Sequence, residues 1–259
     1  LRPEFKIHSG VGHFPQPDEW LTTLKADTII AFFGFNESFD GPGGIEKYKA
    51  ELKAFVEHTL AQKYNGKSAP TLVLVSPIAF QDLSAKHDLP DGVEENANLA
   101  LYSGAMKEIA TDYQLSFIDL FSATTSWFAE DNAPWTVNGA HLNEAGYRKL
   151  APELSNAIYG INSPEARPHF AKVRSAVDEK NWFWFNDYQM LNGVHSYGRR
   201  WKPFGDFNYP EEIEKLRQLT QIRDEAIWDA LGGKDYDTAS ADQKTRKLRP
   251  VKTNAEERR

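Results

Sequence analysis

The chain has 259 residues, 41% of them hydrophobic and 26% charged, with a formal net charge of −7. Such a composition belongs to a globular protein long enough to bury a full core. The acidic balance argues against a nucleic-acid footprint, no apolar run reaches the roughly 18 residues a membrane span needs, and the absence of cysteine excludes disulfides, thiolate nucleophiles and cysteine-bound zinc while leaving the compartment open.

The chain begins at Leu1 rather than Met and reads as a fragment or processed product, its targeting segment out of view. A short helix is expected over Asp18–Lys25. Three apolar, β-rich runs follow, at Thr28–Phe33, Thr71–Val75 and Leu115–Leu120. Each is nearly continuous in hydrophobicity and closed by Gly, Ser-Pro or Asp, the pattern of strands buried on both faces of a parallel sheet. Helical spacing separates them at Ile45–Tyr64 and Glu94–Tyr113, and a last helix runs over Asn143–Tyr159. Alternating strands and long helices imply βαβ units in a three-layer α/β/α sandwich. Three strands are few against the usual five or six, so further strands are expected upstream of Leu1.

After Gly160 the character changes. Residues 163–180 read as a charged helix, residues 181–209 as aromatic and without clean period, and residues 210–231 as a helix with Pro210 in its first turn. Residues 233–259 read as a polar tail or linker. The expected division is 1–160 as an α/β domain, 161–232 as a helical, aromatic extension packed on it, and 233–259 as the tail.

Chemistry concentrates in two stretches. Ligands of open α/β sheets sit at the carboxyl ends of strands, and Gly34-Phe35-Asn36-Glu37-Ser38 stands at such an end. Asn36 has two readings: an amide N–H aimed at a developing oxyanion, or a helix cap or Asx turn. The second stretch is Trp135 to Tyr147. There His141 lies in a loop before a helix that Asn143 caps, either as a general base or as a structural histidine.

Taken together the stretches resemble the SGNH (GDSL-like) hydrolase family. A strand ends in Gly-x-Asn-Glu, a later strand ends in Asp119, and Asn138-x-x-His141-Leu142-x-x-x-Gly146-Tyr147 precedes the last helix. The resemblance covers roughly residues 15–160. It implies the flavodoxin-like fold of that family, here lacking its first strands. It also implies a serine ester hydrolase with Asn36 as oxyanion donor and His141 as general base, a small-molecule or carbohydrate acyl or acetyl ester as substrate, and a periplasmic or extracellular location. No cofactor and no metal are expected. The aromatic extension is similar to the tail on SGNH domains of large planctomycete multidomain proteins, which implies fusion to further domains.

The chain departs from the family in two places. It contains no Gly-Asp-Ser and no Gly-x-Ser-x-Gly elbow. The nucleophilic serine is therefore expected upstream, on roughly 50–70 residues preceding Leu1; neither Ser9 nor Ser38 fits the role. The family's usual Asp three residues before the His is Asn138 here, an uncharged group that orients an imidazole but stabilises its protonated form less. Asp119 and Glu37 are candidates, by location only, to orient His141 instead. Each also reads as a capping or solvated acid. A non-catalytic binding or spacer module that kept the fold is the alternative, and a nucleotide-binding flavodoxin-like domain finds no phosphate loop.

Among the remaining features, the 181–209 segment reads as a packing surface or a sugar-stacking platform. Arg199-Arg200 reads as a surface ion pair or an anion contact, and His8, His13, His169 and His195 lack ligand spacing.

Overall fold

The structure is a computed structural model that describes residues 16–130, 133–160, 168–188, 202 and 205–250. These fall into two compact units, residues 16–160 and residues 168–250.

The first unit is built on a parallel sheet, β1 (Thr28–Phe32), β2 (Thr71–Val75) and β3 (Ser116–Ile118), in the order β1-β2-β3. Register runs from Thr28 opposite Thr71 to Phe32 opposite Val75, and Val73 opposite Ser116 to Val75 opposite Ile118. Helix α1 is Pro17–Thr23, α2 Ile45–Leu60, α3 Val93–Asp112, α4 Leu120–Glu130 and α5 Glu144–Tyr159.

The alternation of side chains along β2 divides the core into two layers. Leu72 and Leu74 point to a cluster with Tyr48, Leu52 and Val56 of α2 and Leu99, Tyr102, Met106 and Ile109 of α3. Val73 and Val75 point the other way, to Ile118, Leu120, Trp127, Leu142 and Leu150. The central strand is thus covered on both faces, which explains its unbroken hydrophobicity. Each such side chain contributes about 1.5–3 kcal/mol by leaving water. The three-layer α/β/α expectation is borne out. The side on which each helix lies follows from strand order: α2 and α3 are successive crossovers of a sheet that grows in one direction, so they share a face, while α4 and α5 cover the other.

Two local readings differ. Leu120 belongs to α4 rather than to a strand. Asp119 ends β3 early by accepting from Ser122 N (2.9 Å) and Ser122 Oγ (2.8 Å), a side-chain N-cap for α4. And β1, though as apolar as β2, has only Ala31 fully buried, with Phe32 54% exposed. Among the described residues its outer edge carries no partner strand.

The second unit is a pair of long helices, α6 (Phe170–Tyr188) packed along α7 (Gly205–Leu231), followed by the short α8 (Thr238–Asp242). Helix α6 runs through the Asn181–Tyr188 aromatics that read as aperiodic. Aromatic side chains occur on both of its sides and blur the period: Phe183 lies 4.3 Å from the Arg223 guanidinium, while Trp182, Trp184 and Phe185 are more than half exposed. Helix α7 begins five residues before Pro210. The stretch after Gly233 composes like a free tail, yet Asp235, Asp242, Arg246 and Arg249 are all ion-paired. Arg223, itself buried, bonds Glu179 (2.9 Å) and Asp242, and Glu211 takes Arg246 (2.6 Å) and Arg249 (3.0 Å). His195, Arg199 and Arg200 lie outside the described residues, as do Ser9, His8 and His13.

Candidate active site

At the carboxyl end of β1 the chain turns at Gly34, whose φ of +103° favours glycine. Space is tight as well, because a Cβ there would stand 3.2 Å from Tyr48 Oη and 3.3 Å from Pro77 Cδ. Glu37 and Ser38 tie the turn. Gly34 N–H donates to Glu37 Oε2 (2.9 Å), and the buried Ser38 hydroxyl donates to Phe35 O (2.7 Å). Glu37 therefore serves the backbone and not His141, and Ser38 has its hydroxyl turned inward. Asn36 starts the following 3-10 turn (Glu37–Asp40) but makes no side-chain capping bond to it, and its side chain is exposed. The capping reading of Asn36 finds no such bond.

The His141 loop is a tight antiparallel return. Thr136 bridges Leu142, Val137 N–H donates to His141 O (2.8 Å), and Asn143 N–H donates to Trp135 O (2.9 Å). Gly139 takes the left-handed position at its tip (φ +84°). Asn143 then caps α5 by accepting from Gly146 N (2.9 Å), as its place in the sequence suggested.

Within the return, Asn138 Oδ1 accepts the backbone N–H of His141 (3.0 Å) and of Ala140 (3.3 Å), and it lies 3.0 Å from His141 Nδ1. Two backbone donors converging on one side-chain atom identify that atom as the amide oxygen. The imidazole nitrogen facing it must then carry the proton. In the neutral ring this leaves Nε2 as the lone-pair nitrogen, on the side away from Asn138. His141 is exposed and open to a reacting group. Asp119, the other acid considered for this task, is spent on capping α4.

Both blocks rest on the segment that leaves β2. Pro77 packs against Gly34, while Phe80 packs against Gly139 and Gln81 N–H donates to Gly139 O (2.9 Å). Asn36 and His141 thus stand at one edge of the sheet, the carboxyl edge, although they are 105 positions apart in the sequence. Sequence reasoning missed Gln81; the signal was a single amide following the apolar run Pro77–Phe80, where a buried polar group must find partners. A cavity of about 650 Å³ is lined by Phe80, Gln81, Lys86, Asn96, Thr125 and Phe128. Among the described residues no three His, Cys, Asp or Glu side chains group as a metal site, and no helix is long and apolar enough to cross a membrane.

The fold resembles that of a catalytic mutant of Axe2, an acetylxylan esterase from Geobacillus stearothermophilus, at 17% identity and a TM-score of 0.41, covering 53% of this chain and 61% of that one. It also resembles a lipase/acylhydrolase from Enterococcus faecalis at 18% identity and a TM-score of 0.39, covering 56% of this chain and 67% of that one. The chain thus spans about three fifths of the length of the esterase. No curated protein matches it. The model of the GDSL-like lipase/acylhydrolase family matches residues 9–149, more than half of the chain, and the chain belongs to that family.

Proposed function

We propose that this chain carries the base and the oxyanion donor of a serine ester hydrolase, and that the nucleophilic serine is supplied by sequence upstream of Leu1. One observation carries the reading: Asn138 Oδ1, which accepts the His141 backbone N–H, lies 3.0 Å from His141 Nδ1, an arrangement that favours a proton on Nδ1 and leaves Nε2 open. Nε2 takes the serine proton as the hydroxyl oxygen attacks the ester carbon. The carbonyl oxygen, now negative, receives an N–H from Asn36 Nδ2. His141 passes the proton to the departing alcohol, and water repeats the sequence to free the acid. The open edge of β1 supports an upstream strand, because a parallel strand paired there would end beside Asn36. The cavity lined by Phe80, Asn96, Thr125 and Phe128, with aromatic and hydrogen-bonding walls, suits the sugar of a carbohydrate acyl or acetyl ester. In this reading the domain belongs to a larger polypeptide.

The test is hydrolysis of an aryl acetate by the chain extended by the roughly 70 residues encoded ahead of Leu1, two βαβ units' worth. Activity that falls by at least roughly 10³-fold on His141→Ala supports the reading; an unchanged rate removes it. A non-catalytic module is the second reading, favoured by the uncharged Asn138. It gains if the extended chain folds, lacks a serine at the end of its added strand, and hydrolyses nothing.

A further inference from the structure

The loop that carries His141 is held by one buried side chain from another part of the fold. Gln81 is 4% exposed. Its Oε1 accepts from Trp135 N (3.0 Å), Thr136 N (3.0 Å) and Thr136 Oγ1 (2.9 Å), and its Nε2 donates to Ala133 O (2.7 Å). Backbone donors on one side and a backbone carbonyl on the other fix the orientation of the amide. The Gln81 backbone completes a closed circuit. Gln81 N–H donates to Gly139 O, Gly139 N–H donates to Thr136 Oγ1 (3.0 Å), and Thr136 Oγ1 donates to Gln81 Oε1. Both ends of the tetrapeptide Thr136–Gly139 are thereby fixed, and Asn138 stands inside it. Asn138 in turn sets the proton of His141.

We infer that Gln81 is a positioning residue for His141, acting through Thr136 and Asn138 to hold the imidazole in the Nδ1–H form. Its catalytic meaning rests on the esterase reading above; the placement itself does not. The circuit has its partners 55 positions apart in the chain, so it closes only when the segment after β2 and the His141 loop are both in place. A buried circuit of this kind is costly to leave incomplete. Removing the Gln81 amide takes the acceptor from the Trp135 and Thr136 N–H groups, and the loop relaxes toward solvent to satisfy them.

The experiment is ¹H–¹⁵N spectroscopy of the imidazole nitrogens in the full chain, above the pH at which the rings are protonated, with the His141 signals identified by their loss in His141→Gln. The native chain is expected to show His141 as the Nδ1–H form. In Gln81→Met, of similar length and without hydrogen-bonding ends, the ratio of Nδ1–H to Nε2–H is expected to fall by roughly five- to tenfold, as one hydrogen bond's loss implies. Thr136→Val, which removes only the middle link, is expected to move it in the same direction, and Thr136→Ser to restore the native ratio. A folded Gln81→Met chain with an unchanged ratio overturns the inference. If that variant does not fold, Thr136→Val decides by the same criterion. These spectra do not depend on turnover. An upstream-extended chain whose activity survives His141→Ala removes the esterase reading and leaves the positioning result standing.

Discussion

Asn138 Oδ1 lies 3.0 Å from His141 Nδ1 while also accepting the backbone N–H of His141. In the proposed reading, an uncharged residue takes the place at which the resemblance puts a carboxylate. Orientation and charge are separable here, and substitution tests each. Asn138→Ala removes the orientation and is expected to lower kcat of the upstream-extended chain roughly 10- to 100-fold. Asn138→Asp keeps all three acceptor contacts and adds a charge that stabilises the imidazolium formed during attack. It is expected to raise kcat by about fivefold. Steady-state hydrolysis of an aryl acetate decides both; a drop in Asn138→Asp would show that neutrality at this position matters.

Asn36 is free of structural duty, since Glu37 and Ser38 tie its turn. Asn36→Ala in the extended chain is therefore expected to lose roughly 10²–10³-fold in kcat. Its unfolding free energy is expected to stay within about 0.5 kcal/mol of the parent. A large loss of stability in urea titration would assign the residue to the fold instead.

Gly139 has no room for a side chain: a Cβ would meet Phe80 Cζ at 2.4 Å, and the backbone is left-handed. Gly139→Ala is expected to cost roughly 2–4 kcal/mol. Gly66 has a similar φ of +75° but nothing within 4 Å of its Cβ position, and Gly66→Ala is expected to cost only about 1–2 kcal/mol. Pairing Gly139→Ala with Phe80→Ala in a double-mutant cycle should show a favourable coupling, since the smaller side chain relieves the clash.

Through Asp18, helix α1 is fastened to His58 of α2 and to Tyr64 just beyond it. Tyr64 Oη donates to Asp18 Oδ1 (2.6 Å), and His58 Nε2 lies 2.9 Å from Oδ2. The Tyr64 hydrogen bond, joined by His58, holds the Asp18 carboxyl below the usual carboxylate range. Burial first, then Asp18 itself, push the Tyr64 phenol above its ordinary value. A depressed carboxyl contributes stability that is whole above about pH 4 and lost as pH falls through the lower folded value. A raised phenol contributes stability that is whole below about pH 10 and lost as pH rises toward the folded value. Asp18→Asn is expected to cost about 1 kcal/mol at neutral pH, Asp18 being half exposed. The difference should vanish in strong acid. Thermal melts across pH 2–8 measure it, and a difference independent of pH would exclude the titration.

In the helical unit, Arg223 is the one buried arginine among the described residues, ringed by Glu179, Asp242 and the Phe183 face. Arg223→Met leaves those carboxylates unpaired and is expected to cost roughly 2–3 kcal/mol, below the fully buried case because both acids are partly exposed. Arg223→Lys keeps the charge but loses the two-pronged grip on Asp242 and should fall between the two. Urea unfolding followed by helical circular dichroism orders the three proteins.

Much of this molecule is written locally. Thr71–Val75 forms a strand within the bounds its apolar run suggests, because a strand covered on both faces must be apolar throughout. Asn143 caps α5 because its partner, Gly146 N, is three residues away. Asn138 and His141, equally close in sequence, are likewise legible as a pair. Such features need only near neighbours, and near neighbours are visible in the order of residues.

What tertiary structure alone decided are the competitions between equivalent side chains. Asp119 and Glu37 were both placed to orient His141, and each is instead held by a backbone group of its own turn. Gln81 carried no mark in the sequence beyond being an amide after an apolar run, yet its partners lie 52 to 58 positions downstream. A buried hydrogen bond depends on which polar groups the packed core leaves without water, and the chain acquires that property only when its distant segments meet.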